Sequence, residues 1–120
     1  MKIAITSQGQ ETSSMLDPRF GRAKWFMIFD DQSNQWNAQD NTLNLNAAQG
    51  AGIQAAQNIA QTGAEVLITG NVGPNAYKTL SAAGIKIFLV SNCSVQQALD
   101  QFNAGNLKEI DSANVQGHWV

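Results

Sequence analysis

The chain has 120 residues, of which 43% are hydrophobic, enough for one domain with its own core, and we expect residues 1–120 to form that single domain. Only 13% of the residues are charged and the formal net charge is −2, which argues against binding of nucleic acid or of an anionic membrane. A single cysteine and a single histidine exclude an intramolecular disulfide and a Cys/His zinc cluster within one chain. The apolar stretch near Met1 is too short for a signal peptide or a membrane span, so we expect a cytoplasmic location.

The first third of the chain is predicted to be β structure. Residues 3–5 and 25–29 are continuous apolar runs, which are typical of strands buried on both faces. Residues 36–40 alternate with period two after a short turn, which predicts an edge strand that forms a hairpin with the strand before it.

The rest of the chain is predicted to alternate between helix and strand. A helical pattern over residues 53–60 precedes a buried strand at 66–69, and a second helical pattern that begins at Pro74 precedes a strand at 85–90. Ser94–Gln97 has the spacing of a capping box at the start of a last helix. Glycines follow all three helical patterns, where C-cap residues are expected.

This order of elements predicts an α/β fold in which helices cover both faces of a mixed five-stranded sheet. The hairpin leads away from the first strand on one side and the strand at 66–69 returns to its other side. A crevice should therefore open between the carboxyl ends of these strands, where open α/β sheets bind ligands. The tail, residues 107–120, has too little periodicity for a prediction.

Two arginines are candidate anion-binding residues in the first loop at this crevice. Arg19 and Arg22 flank Phe20 and could place two guanidinium groups beside an apolar ring, which suits a large, weakly hydrated anion. They could equally be surface arginines that pair with Asp17 or Asp30.

A second candidate lies at the start of the first helix. Asn46 and Gln49 have capping-box spacing and could cap that helix or contact a ligand. Gly50, Ala51 and Gly52 follow, and the backbone amides of a helix start attract anions. The same glycines begin a G-x-G-x-x-A fingerprint, but no convincing strand precedes them and no acid follows about 20 residues later, so a nicotinamide cofactor is not expected.

The loops after the last two long strands provide the remaining candidates. Asn71 and Asn75 could donate side-chain hydrogen bonds beside the apolar Val72, although a plain strand-to-helix turn explains this loop equally well. Cys93 precedes a helix start, which could lower the pKa of its thiol and make it a soft metal ligand; a small packed residue is the alternative. The central strands have no clustered carboxylates and the chain has no plausible acid–base pair, so we do not expect an enzyme.

Three segments resemble, in order and spacing, the dinitrogenase iron–molybdenum cofactor biosynthesis family: residues 17–23 (DPRFGRA), 50–56 (GAGIQAA) and 70–76 (GNVGPNA). The likeness runs from residue 1 to about residue 107. It implies a ribonuclease-H-like, three-layer α/β/α fold without nuclease activity, with strand order 3-2-1-4-5 and strand 2 antiparallel. It also implies a protein that carries or delivers metal–sulfur clusters.

One branch of that family is more similar still, the small orange proteins of sulfate-reducing bacteria, which hold a molybdenum–copper sulfide cluster noncovalently. The resemblance implies that an assembled molybdenum–copper or iron–molybdenum cluster is bound by Arg19 and Arg22, by the amides of 50–52 and 71–75, and between apolar walls of Phe20 and Val72. Arg19 and residues 46–49 stand where many relatives have histidine, so the resemblance does not extend to ligation by histidine there. A cluster-accepting protein or an ATPase is the implied partner. The alternative is an interaction module of an ATPase-containing assembly that holds no cofactor.

Overall fold

The fold is built on one mixed sheet with helices on both faces, in a computed structural model that describes residues 1–42 and 50–115. The strands are β1 (Lys2–Ser7), β2 (Trp25–Asp30), β3 (Gln35–Asp40), β4 (Ala64–Thr69), β5 (Lys86–Leu89) and β6 (Lys108–Glu109). The helices within the described ranges are α1 (Ala51–Gln61), α2 (Pro74–Ala82) and α3 (Val95–Asn103), with a 3-10 turn at Phe20–Arg22.

The sheet has the order β3-β2-β1-β4-β5-β6. β1 pairs antiparallel with β2 on one side and parallel with β4 on the other, so β2 runs in the opposite direction to β1 and β4. The predicted order 3-2-1-4-5 and the antiparallel second strand are confirmed. The predicted number of five strands is too low, because the tail contributes β6, which pairs antiparallel with β5. A strand of two residues is too short to show periodicity in the sequence.

Two apolar cores lie on the two faces of the sheet and produce the three layers. On one face, α1 and α2 pack against Phe26 and Leu67. On the other face, α3 packs against Ile3, Ile5 and Ile68. Alternate residues of the central strands thus lie in opposite cores. Because both faces of these strands are buried, their sequences are continuous apolar runs.

The ends of the helices follow the predicted local signals. Pro74 occupies the first turn of α2, and Gly63 follows α1 with a φ of 84°. Ser94 Oγ accepts from the Gln97 N–H (3.1 Å), and Gln97 Oε1 accepts from the Ser94 N–H (2.8 Å), which completes the predicted capping box of α3. In the two described ranges, no helix has the length and apolar character needed to cross a membrane.

Candidate functional site

The candidate site lies at the carboxyl ends of β1 and β4, where residues 8–19 cross the edge of the sheet. The Asp17 N–H donates to the Thr6 carbonyl (3.0 Å), and the Thr6 hydroxyl donates to the Asp17 carbonyl (2.7 Å). Thr6 Oγ1 lies 2.9 Å from Thr69 Oγ1, and both threonines are fully buried. A buried polar pair thus joins β1, β4 and the crossing loop.

The residues of the crossing loop just before Asp17 are attached to the start of α3. The Leu16 N–H donates to the Cys93 carbonyl (3.0 Å), and the Val95 N–H donates to the Ser14 carbonyl (2.9 Å). Since residues 14–17 are hydrogen-bonded both to β1 and to the start of α3, the sheet and α3 together determine the position of the residues that follow.

Arg19 and Asn71 are brought side by side although they are far apart in the sequence. Their backbones form an isolated parallel bridge, and the Phe20 N–H donates to the Asn71 carbonyl (3.2 Å). This approach requires glycine at position 70, because a Cβ there would lie 2.7 Å from Pro18 Cα. The predicted loop that carries Arg19 and the predicted loop that carries Asn71 therefore meet at this edge of the sheet.

Arg19 presents a positive charge at this edge. The residue is exposed, and its backbone N–H donates to Asp17 Oδ1 (3.0 Å). Within residues 1–42 and 50–115, its guanidinium has no ion pair with a carboxylate. Burial raises the pKa of the Asp17 carboxyl, whereas the Arg19 N–H and the charge of Arg19 act in the opposite direction. Arg22 is half-buried at the end of the 3-10 turn.

Phe20 and Val72 do not form the expected apolar walls. Both side chains are fully buried in the core beneath α1 and α2, and the ring of Phe20 stacks on Phe26 with centroids 5.7 Å apart. They support the two loops from below and have no surface for a ligand to contact.

Asn71 already uses most of its side-chain hydrogen-bonding capacity inside the protein. Its Nδ2 donates to the Pro18 carbonyl (3.0 Å), and its Oδ1 accepts from Asn114 Nδ2 (3.0 Å). The Val72 N–H is also occupied, since it donates to Asn114 Oδ1 (2.7 Å). Asn75 is exposed in the first turn of α2. Asn114 is not predicted from the sequence, because nothing in the weakly periodic tail distinguishes it from its neighbours.

The start of α1 is the third part of the candidate site. Gly50 is exposed, with a φ of 79°, whereas Ala51 and Gly52 are buried. The first N–H groups of a helix have no intrahelical partner, and α1 packs against the 3-10 turn that follows Arg19. The predicted contacts Asn46 and Gln49 lie outside the described residues.

Cys93 does not have the properties of an activated thiol. Its side chain is 4% exposed in the core beneath α3, and burial raises the pKa of the thiol. Of the two alternatives for Cys93, the structure agrees with the small packed residue, because the loss of solvent around the thiolate disfavours its charged form. The described part of the chain has no group of three or more His, Cys, Asp or Glu side chains that could hold a metal ion.

A separate cavity of about 650 Å³ lies between the β2–β3 hairpin and the carboxyl end of α1. Polar side chains such as Asn37, Gln39 and Asn58 line it, and Ile28 contributes an apolar surface. Of the candidate ligand-binding residues that the structure describes, none lines this cavity.

Comparisons with known proteins agree over nearly the whole chain. The family model described as dinitrogenase iron-molybdenum cofactor matches residues 1–105. The apo form of the orange protein from Desulfovibrio gigas has a TM-score of 0.93 and 39% identity, over 95% of this chain and 96% of the other. A candidate NifB protein from Thermotoga has a TM-score of 0.85 and 38% identity, over 97% and 98% of the two chains. An uncharacterized protein of Methanocaldococcus jannaschii is 28% identical over 113 residues, which is 92% of each chain.

Proposed function

Because the chain belongs to the dinitrogenase iron–molybdenum cofactor family, we propose that it binds an anionic metal–sulfur cluster and carries it without catalysing a reaction. The observation that supports this proposal is the position of Arg19. It is an exposed cation without a carboxylate partner in the described residues, at the edge where β1 and β4 end. The chain leaves β1 and β4 toward opposite sides of the sheet, to β2 and to β5, and ligands of open α/β sheets usually bind at such a point.

The hydrogen-bond donors at this edge of the sheet determine which kind of metal centre the site can bind. The groups available are the guanidinium of Arg19 and N–H donors, and no cluster of metal-ligating side chains exists in the described residues. Guanidinium and N–H groups bind the outside of an anion and do not replace the ligands of a metal. The residues therefore fit an assembled cluster that brings its own sulfide ligands.

We propose that Arg19 makes the principal charged contact. Arg22, the backbone amides at Gly50–Gly52 and the side chain of Asn75 are proposed as further contacts, together with Asn46 and Gln49. Asn71 is proposed as a donor beside Arg19. Cys93, being buried in an apolar core, has no part in this proposal.

The proposed cargo is a molybdenum–copper sulfide cluster, with an iron–molybdenum cluster as the second possibility. The likeness to the orange protein supports the first, and the likeness to the candidate NifB protein supports the second. A carrier must release its cargo, so a cluster-accepting protein is the proposed partner.

The test is to mix the protein anaerobically with tetrathiomolybdate and copper(I), and to measure visible absorption and bound metal. The parent protein should form a coloured complex that survives gel filtration. Arg19→Ala should weaken binding by about 10- to 100-fold, the range expected for one charge-assisted hydrogen bond of about 1.5–3 kcal/mol. Arg19→Lys should lie in between, because it keeps the charge and loses the planar fork.

Lys86→Ala is the matched control, since it removes an exposed positive charge at the start of β5, away from the carboxyl ends of the strands. Equal affinities of Arg19→Ala and Lys86→Ala would show that general charge, and not this site, attracts the cluster. If the parent binds neither the molybdenum–copper nor an iron–molybdenum cluster but is recovered stably with an ATPase, the interaction-module hypothesis is correct instead.

A further inference from the structure

The C-terminal segment, residues 106–115, extends beyond the part of the chain that matches the family model. It is nevertheless attached to the sheet and to the candidate site. Lys108 and Glu109 pair with β5, and the Ile110 N–H donates to the Ile87 carbonyl (2.9 Å). The segment then reaches the loop between β4 and α2 through Asn114.

Asn114 makes three hydrogen bonds to two consecutive residues of that loop. Its Oδ1 accepts from the Val72 N–H (2.7 Å), its backbone N–H donates to the Val72 carbonyl (3.1 Å), and its Nδ2 donates to Asn71 Oδ1 (3.0 Å). Asn71 in turn donates from Nδ2 to the Pro18 carbonyl (3.0 Å). A continuous series of hydrogen bonds thus runs from the C-terminal segment to the loop that presents Arg19.

Backbone groups at the two ends of this series determine how both amides are oriented. The Val72 N–H can only donate, so the oxygen of Asn114 must face it and the nitrogen is left to face Asn71. The Pro18 carbonyl can only accept, so the nitrogen of Asn71 must face it and the oxygen is left to face Asn114. The two assignments agree, and flipping either amide would put two donors or two acceptors together.

We infer that Asn114 is a positioning residue that fixes the orientation of the Asn71 amide, so that Asn71 presents an N–H to the ligand. The Asn71 oxygen accepts from Asn114 and one Nδ2 hydrogen is donated to Pro18, so the second Nδ2 hydrogen has no acceptor within residues 1–42 and 50–115. Together with the positive charge of Arg19, this N–H favours ligands whose surface atoms are hydrogen-bond acceptors, such as sulfides. This inference rests on the proposed function, because it assigns a selectivity to the same site.

The first experiment needs no ligand. Hydrogen exchange measured by NMR on the apo protein should be several-fold faster in Asn114→Ala than in the parent at the Asn71 side-chain amide and at the Phe20 N–H. The Phe20 N–H donates to the Asn71 carbonyl and not to Asn114, so its exchange reports an effect transmitted through the Asn71–Val72 peptide unit. Asn103→Ala is the control, because Asn103 is an exposed asparagine at the end of α3. Unchanged exchange at both positions would overturn the inference.

The second experiment is a double-mutant cycle with tetrathiomolybdate and copper(I). Asn114→Ala should weaken binding about fivefold, as expected for one neutral hydrogen bond. It should cause no further loss when Asn71 is already alanine, since its effect passes through Asn71. Equal losses in both backgrounds would overturn the inference. If the parent protein binds no cluster, the proposed function has failed, and the exchange rates of the apo protein then decide the orienting role of Asn114.

Discussion

The close approach of β4 to the arginine loop makes Gly70→Ala an informative substitution. A Cβ at position 70 would lie 2.7 Å from Pro18 Cα and 2.8 Å from the Pro18 carbonyl oxygen. Both are backbone atoms, so rotation of a side chain cannot relieve the overlap. Either the strand end or the loop that presents Arg19 must move.

The expected loss of stability follows from two opposing effects. Overpacking against backbone should cost about 3 kcal/mol, the upper end of the usual range. The φ of Gly70 lies outside the left-handed region that disfavours alanine, so the lower entropy of the unfolded variant should offset about 0.4–1 kcal/mol of this cost. The free energy of unfolding should therefore fall by about 2 kcal/mol.

Urea unfolding followed by circular dichroism measures this difference. With an m value of about 2 kcal/mol/M, the midpoint should fall by about 1 M. The variant should also lose protection from hydrogen exchange at the Phe20 N–H, which depends on the same approach. Binding of the cluster should weaken because Arg19 is displaced from Asn71.

Gly9→Ala provides the comparison within the same loop. There the added Cβ would meet Ser14 Oγ, the end of a side chain that can rotate away, so the loss should be much smaller. Equal midpoints for Gly70→Ala and the parent would refute the close approach, as would equal losses for Gly70→Ala and Gly9→Ala.

Three further predictions concern residues around the site. Burial raises the pKa of Asp17 in the folded protein, so the Asp17 carboxyl favours folding below its ordinary pKa of about 3.9, and this stabilisation is lost as the pH rises through the folded value. Asp17→Asn should therefore have a higher urea midpoint than the parent at pH 7, and the difference should disappear in acid. A lower midpoint at pH 7 would contradict this. Cys93 is buried and the pKa of its thiol is raised, so iodoacetamide should modify it much more slowly in the native protein than in urea, and equal rates would show an open site. Ser94→Ala should lower the free energy of unfolding by about 1 kcal/mol, because it removes the capping box of α3. Ser81→Ala, at an exposed position of α2, should change it little. Equal effects of the two substitutions would count against the capping contribution.

The sequence predicted the parts of the fold that depend on neighbouring residues. The positions of β1, β2 and β4 follow from continuous apolar runs, because a strand covered on both faces has no polar side. The capping box of α3 follows from two side chains three residues apart. The resemblance of three segments then identified the family and the strand order.

The tertiary structure decided which groups of the candidate site are available. The 3-10 turn at Phe20 and the loop at Val72 look accessible in the sequence, but helices from distant parts of the chain bury both side chains. The Val72 N–H is used by Asn114, a residue 42 positions away. Hydrogen bonds between segments so far apart leave no local pattern that a reading of the sequence could detect.

By itself, then, the sequence determined the order of the elements, their end signals and the family, because each of these depends on residue types at positions close together in the chain. It also identified Arg19 as the candidate charge. Only the tertiary structure decided that Arg19 lies beside Asn71 and that Asn114 holds Asn71 in place. The physical reason is that the pairing of β1 with β4 and of β5 with β6 places these loops together, and which donors remain free is known only after that pairing is made.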